Sequence, residues 1–225
     1  MIDEERATRR HEVVALVAIL GILTAWNLLR GQVGAAVIVE AAMAVGLLVA
    51  ALASLGGSSA EDLGLHPSSL GRGARLGAMA MAVILAVLVV LAVLPATRGF
   101  FNDDRVKVDV GAMIVKTVVV IPLGTVVLEE LAFRGAMLSL LVALVPLRWA
   151  VGLTSVAFGL WHLAPVLGGT GGPHLAAGVA TVLATAAAGV GFCWLRLRSG
   201  SLLAPAMAHV ATNSFAFMVA FVLWR

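Results

Sequence analysis

Lys116-Thr-Val-Val-Val-Ile-Pro122-Leu-Gly124-Thr-Val-Val-Leu-Glu129-Glu130-Leu-Ala-Phe-Arg134 is the stretch that decides the fold. Its first part is nearly all apolar, and apolar residues resume after Arg134 as far as Val145. A run of this kind is long enough to cross a bilayer, for which a helix needs about 20 mostly apolar residues. Two adjacent carboxylates and an arginine inside it are expensive in lipid. Ionisable residues at membrane depth mark functional sites and require partners.

The rest of the chain repeats the pattern. Apolar segments run over 13–29, 33–56, 74–95, 110–145, 149–167, 175–196 and 201–224. The fourth is too long for one span: at about 1.5 Å per residue it exceeds 50 Å, against a hydrocarbon core of about 30 Å. Pro122 and Gly124 are placed to interrupt it. The expectation is a short leading piece up to Ile121 and a helix from Gly124 that carries the double glutamate. The fold class is therefore all-α, a polytopic integral membrane helical bundle with seven to eight transmembrane helices. Residues 1–109 form three spans with their loops, and 110–225 form the core that carries the chemistry. The first run is preceded by charged residues, is followed closely by a second long run and shows no convincing cleavage site, so it reads as an uncleaved span.

Composition agrees. Of 225 residues, 61% are hydrophobic and only 12% charged, with mean hydropathy +1.07. A soluble domain carries about 25% charged residues. The net charge is +3, but the cations sit singly in short loops and form no stripe, which excludes nucleic acid as a partner. Cys193 is the only cysteine, so no intramolecular disulfide forms, and its apolar neighbourhood gives it a packing role. With the N-terminus inside, eight basic residues flank the inner ends (Arg6, Arg9, Arg10, Arg72, Arg75, Arg148, Arg196, Arg198) and five the outer (Arg30, Arg98, Arg105, Lys107, Arg225). The loop 168–174, without Arg or Lys, fits the outside. The expected orientation has the N-terminus cytoplasmic. The Ala-, Gly-, Val- and Arg-rich, Lys-poor composition points to a bacterial cell membrane.

Three polar clusters fall inside the later spans: Glu129-Glu130-Leu-Ala-Phe-Arg134, Phe158-Gly-Leu-Trp-His162 and His209-Val-Ala-Thr-Asn213. Glu129 and His162 are equidistant from 145–146, where Pro146 and Arg148 mark a tight turn. In an antiparallel hairpin they lie at one depth. Counting about 20 residues per span brings His209 to the same layer. Glu130 and Arg134, at i,i+4, pair on one face. Glu129 is rotated by about 100° from Glu130 and is left without a full partner, as suits a general base. His209 and Asn213, also i,i+4, share a face and offer donors to a developing oxyanion. Phe158 stands one turn before His162 as an apolar wall. Glu40 and Lys116 could pair with each other, snorkel or line a cavity, and a structural role is expected of both. His11, His66 and His174 receive no role, and the small residues of 176–191 are expected to permit close helix packing.

With the residues laid out in this way, the chain resembles the CPBP family (CAAX proteases and bacteriocin-processing enzymes), also called Abi, which includes the type II CAAX prenyl endopeptidase. The family pattern, Glu-Glu-x-x-x-Arg, Phe-x-x-x-His, His-x-x-x-Asn/Asp, is met by Glu129-Glu130…Arg134, Phe158…His162 and His209…Asn213. The resemblance spans about residues 110–220. It implies an intramembrane endopeptidase acting on membrane-associated protein or peptide substrates, prenylated CAAX-type termini among them. It further implies that Glu129 and His162 activate water, that His209 and Asn213 form the oxyanion hole, and that Glu130 and Arg134 support them. Zinc is the alternative cofactor, since His162, His209 and Glu129 would supply ligands. The chain has no His-Glu-x-x-His signature, so a metal-free, glutamic-type route without cofactor is favoured. Two other classes would also keep buried Glu and His: a proton-coupled transporter, which does not account for Asn213 beside His209, and a non-catalytic membrane scaffold, which would tolerate loss of Glu129.

Overall fold

The computed structural model describes residues 2–34, 36–163 and 175–225, with side chains described from residue 9 onward in those ranges. Every regular element among them is helical, and none is a strand. The main helices are α1 (Ile2–Leu29), α2 (Ile38–Leu55), α3 (Leu70–Val93), α4 (Val110–Leu144), α5 (Leu147–Trp161), α6 (Leu175–Ser199) and α7 (Leu203–Trp224). All except α5 belong to the six segments long and apolar enough to cross a membrane. The chain is thus an all-α polytopic membrane bundle.

Six described segments reach spanning length, where the sequence pattern anticipates seven or eight. Part of the difference lies in α5, whose helix covers 15 residues. The end of the expected segment 149–167, the loop 168–174 and His174 lie outside the described residues. The other part is a correction: Pro122 does not split the long run. α4 is continuous over 35 residues, with wide π turns at Lys116–Val120, Pro122–Val126 and Glu130–Met137. A π turn bonds i to i+5. The proline sits at the start of such a turn, where its missing N–H is tolerated as it is at the first turn of any helix.

Local signals set the ends. Asp109 caps α4, its Oδ1 accepting from Ala112 N at 2.8 Å. Gly200, with φ +70°, takes the left-handed position that closes α6. Val83, Val87 and Val90 of α3 and Val179 and Leu183 of α6 are exposed, which is the expected state of a face solvated by lipid. The buried core gathers instead around the polar motifs: Leu128, Ala132 and Phe133 of α4, Phe158 of α5, Phe192 of α6 and Ala208 of α7. α5 lies close along α6, and glycine makes this possible. A Cβ on Gly159 would stand 2.6 Å from the carbonyl oxygen of Val182, and one on Gly189 would stand 3.1 Å from Ser155 Cα. The small-residue stretch thus permits close packing, as its composition implies.

Candidate active site

α4 contributes Glu129, Glu130 and Arg134, all essentially buried. The π turn over Glu130–Met137 widens the helix where two carboxylates must both face inward. α5 ends at Trp161, with His162 as its C-cap. α7 brings in His209 just before a second π turn, Ala211–Phe215. π turns of this kind occur often at functional sites.

Glu130 is the anchored carboxylate. Its Oε1 accepts from Arg134 Nη1 at 3.0 Å and from His209 Nδ1 at 2.8 Å. The Arg134 guanidinium lies 3.9 Å over the Phe158 ring and 4.9 Å from that of Phe192, so its planar faces are covered by aromatic surface. The i,i+4 pair expected from spacing is present, and His209 shares it.

Glu129 is held at one oxygen only. Its Oε1 accepts from the Trp161 indole Nε1 at 2.8 Å. Its Oε2 is buried and accepts no protein hydrogen bond among the described residues. That oxygen lies 3.7 Å from His209 Nε2 and 4.0 Å from His162 Nε2. His162 Nδ1 contacts the Phe158 carbonyl oxygen at 2.8 Å. A carbonyl only accepts, so Nδ1 holds a proton and the ring turns its Nε2 toward Glu129. The same argument at His209, whose Nδ1 faces a carboxylate, presents its Nε2 to the same place. Two imidazoles and one carboxylate oxygen therefore converge, each fixed from behind. His209 is buried, whereas about a quarter of the His162 side chain is accessible.

Aromatic rings enclose the group. Phe158 meets His162 edge-on at 4.7 Å, as the wall anticipated from its position. Phe192 stacks on His209 at 5.0 Å and 25°. An apolar groove of about 360 Å³ runs beside the site between α1 and α5, lined by Leu23, Asn27, Phe133, Met137 and Trp161.

The structure brings together Glu129, Glu130, Arg134, Phe158, His162 and His209. Among the described residues the Asn213 side chain makes no hydrogen bond to any of them. Asn213 is half-buried within the π turn, and its Oδ1 accepts from Thr212 Oγ1 at 3.5 Å. Lys116 and Glu40 do not pair with each other. Lys116 Nζ donates to the Arg105 carbonyl at 3.4 Å and lies over Phe217, while Glu40 is exposed in the first turn of α2. Cys193 is buried and free. Sequence reasoning missed Trp161, although it stands beside His162 in the same motif. A buried indole N–H needs an acceptor, and that rule applied to Trp161 would have found Glu129.

Among the described residues no three His, Cys, Asp or Glu side chains are already closed to metal-holding geometry. The donor chemistry of Glu129 Oε2, His162 Nε2 and His209 Nε2 nevertheless fits zinc. Each histidine gives its other ring N–H to a carbonyl or carboxylate, as metal-ligating histidines do, and Glu129 Oε2 is unpaired.

The fold is that of a polytopic membrane protein, and at its centre buried carboxylates stand beside imidazoles. Comparison with known families gives a match. Residues 111–215, just under half of the chain, match the family described as "Type II CAAX prenyl endopeptidase Rce1-like". The matched segment is thus similar to a family of CAAX-type membrane endopeptidases. No curated protein and no solved structure matches the chain.

Proposed function

We propose that the protein is an intramembrane endopeptidase that hydrolyses peptide bonds of membrane-associated substrates, prenylated CAAX-type termini among them, with water activated by Glu129. The observation that carries this reading is the Glu129 carboxylate: buried, bonded at Oε1 to Trp161, and unpaired at Oε2 between two imidazole Nε2 atoms at 3.7 and 4.0 Å.

Glu129 Oε2 takes a proton from a water oriented by His162 Nε2, and the hydroxide oxygen attacks the scissile carbonyl carbon. The C=O π electrons move to oxygen, and His209 meets that charge as a donor, with a proton on Nε2 as well as on Nδ1. Asn213, one helical turn beyond His209, is the second donor in this reading, its amide turning to the substrate once one is bound. Collapse of the tetrahedral carbon breaks the C–N bond, and Glu129 returns its proton to the leaving amine. Glu130 holds the His209 ring through Nδ1, and Arg134 holds Glu130. If zinc is resident, Glu129, His162 and His209 would hold it, and it would supply Lewis acidity and a more acidic bound water.

The support for this over a transporter or scaffold is the similarity of residues 111–215 to the CAAX-type endopeptidase family. The test is product analysis. The full chain in nanodiscs is incubated with a quenched fluorescent peptide ending in a prenylated CAAX sequence, and mass spectrometry locates the cut bond. Cleavage by the parent protein and none by Glu129→Gln is the expected result. Cleavage by both overturns the assignment of Glu129.

A further inference from the structure

We infer that α1, which lies wholly outside the matched segment 111–215, positions the reacting carboxylate through Trp161. Asn27 and Arg30 hold Trp161, and Trp161 holds Glu129. The inference rests on the reading of Glu129 given above and extends the working site to the first span.

The physical origin is the end of α5. The last four carbonyls of any helix lack an intrahelical partner, and α5 ends at the residue whose indole bonds Glu129. The Trp161 carbonyl is one of the four. It accepts from Asn27 Nδ2 at 2.9 Å, a contact across 134 residues. The Phe158 carbonyl is another, and the His162 ring N–H caps it at 2.8 Å. One helix end is thus closed from two sides, by the reacting histidine's own ring and by a side chain of α1. Arg30, in the short 3₁₀ turn Arg30–Gln32 that follows α1, places its guanidinium 5.4 Å over the Trp161 ring. Amide and cation restrain different freedoms: the first fixes the Trp161 backbone, the second the plane of its indole. What is transmitted is the position of Nε1, which is 2.8 Å from Glu129 Oε1. Because Oε1 is pinned, the free Oε2 keeps its direction toward the two imidazoles. Neither Asn27 nor Arg30 touches the reacting atoms, so both are positioning residues.

The test joins a substrate-free readout to a kinetic one. ¹⁵N-labelled indole resonances are recorded for the full chain in detergent, and the Trp161 N–H is assigned by its loss in Trp161→Phe. An indole bonded to a carboxylate resonates downfield. Asn27→Leu keeps the side-chain volume and removes the donor, and Arg30→Gln removes the cation. Each should move the Trp161 resonance upfield or broaden it while leaving the other indoles in place. Turnover of the prenylated fluorogenic peptide should fall about two- to tenfold in kcat, the weight of one hydrogen bond, with KM unchanged. In a Trp161→Phe background Asn27→Leu should cause no further loss in kcat. A Trp161 resonance identical to the parent's overturns the inference, as does an unchanged kcat or an additive loss in the double variant. If Glu129→Gln turns over the peptide like the parent, the assignment of Glu129 fails instead. In that case, or if the parent does not turn over the peptide, the Trp161 resonance alone decides whether α1 holds the indole.

Discussion

Replacing Arg134 by alanine should destabilise the fold more than replacing Glu129, although Glu129 is the residue placed at the reaction. Arg134 is fully buried, pairs with Glu130 at 3.0 Å and covers Phe158 at 3.9 Å. Its removal leaves the Glu130 carboxylate with one of its two partners, His209 Nδ1. Breaking a buried pair in this way costs about 3–5 kcal/mol, and the surviving bond to His209 argues for the lower end. Loss of the guanidinium from the aromatic faces adds to it. Glu129→Ala removes a carboxylate held by one hydrogen bond and leaves the Trp161 N–H unpaired, at about 1–3 kcal/mol. For a chain of this size 1 kcal/mol corresponds to about 2–4 °C, so Arg134→Ala should melt about 6–12 °C below the parent and below Glu129→Ala. Tryptophan-fluorescence melts of the three proteins in one detergent make the comparison. The double variant Arg134→Met with Glu130→Gln should recover part of the loss, since replacing both members of a buried pair leaves no stranded charge. If Arg134→Ala melts at or above Glu129→Ala, the Glu130–Arg134 pair is not what holds this layer together.

Three further outcomes follow. In the metal-free route, a zinc chelator leaves proteolysis intact and elemental analysis finds no stoichiometric metal; activity lost to chelator and restored by zinc would assign His162, His209 and Glu129 as ligands instead. Asn213→Asp exchanges a donor amide for an acceptor carboxylate, and losing one oxyanion donor costs about 10²–10³ in rate; a variant as fast as the parent removes Asn213 from the oxyanion site. The loop between α2 and α3 should loosen in acid: hydrogen bonds from the Ser59 hydroxyl and backbone N–H, followed by the charge of Arg196, hold the Asp62 carboxyl below its ordinary value of 3.8. A carboxyl depressed in the folded state adds stability above its unfolded value and loses it as pH falls through the folded one. Hydrogen exchange of residues 57–66 should therefore stay protected to about pH 4 and rise below it, an acid step that Asp62→Asn abolishes.

Much of the site was legible because its logic is periodic. The pairing of Glu130 with Arg134 followed from i,i+4 spacing, and the shared depth of Glu129 and His162 followed from their symmetry about the turn at 145–146. What was not legible arises from departures from that period. The chain runs through Pro122 without a break because a π turn absorbs it, and the choice of π over α is made by packing, which composition does not encode. The step from His209 to Asn213 enters a π turn, Ala211–Phe215, which an α-helical period does not anticipate. Spacing also assigned His209 to Asn213, whereas in space its ring bridges the two glutamates. Within one helix the period cannot see a partner on another.

The most direct test of the account is the single-turnover rate of Glu129→Gln against the parent, on the prenylated fluorogenic peptide, with both proteins shown to be folded by the same melting transition. The amide keeps the shape and still accepts from Trp161, but it cannot take a proton from water. The account predicts a loss of about 10²–10⁴ in rate without a matching loss of peptide binding. A folded Glu129→Gln protein that cleaves at the parent's rate would contradict it.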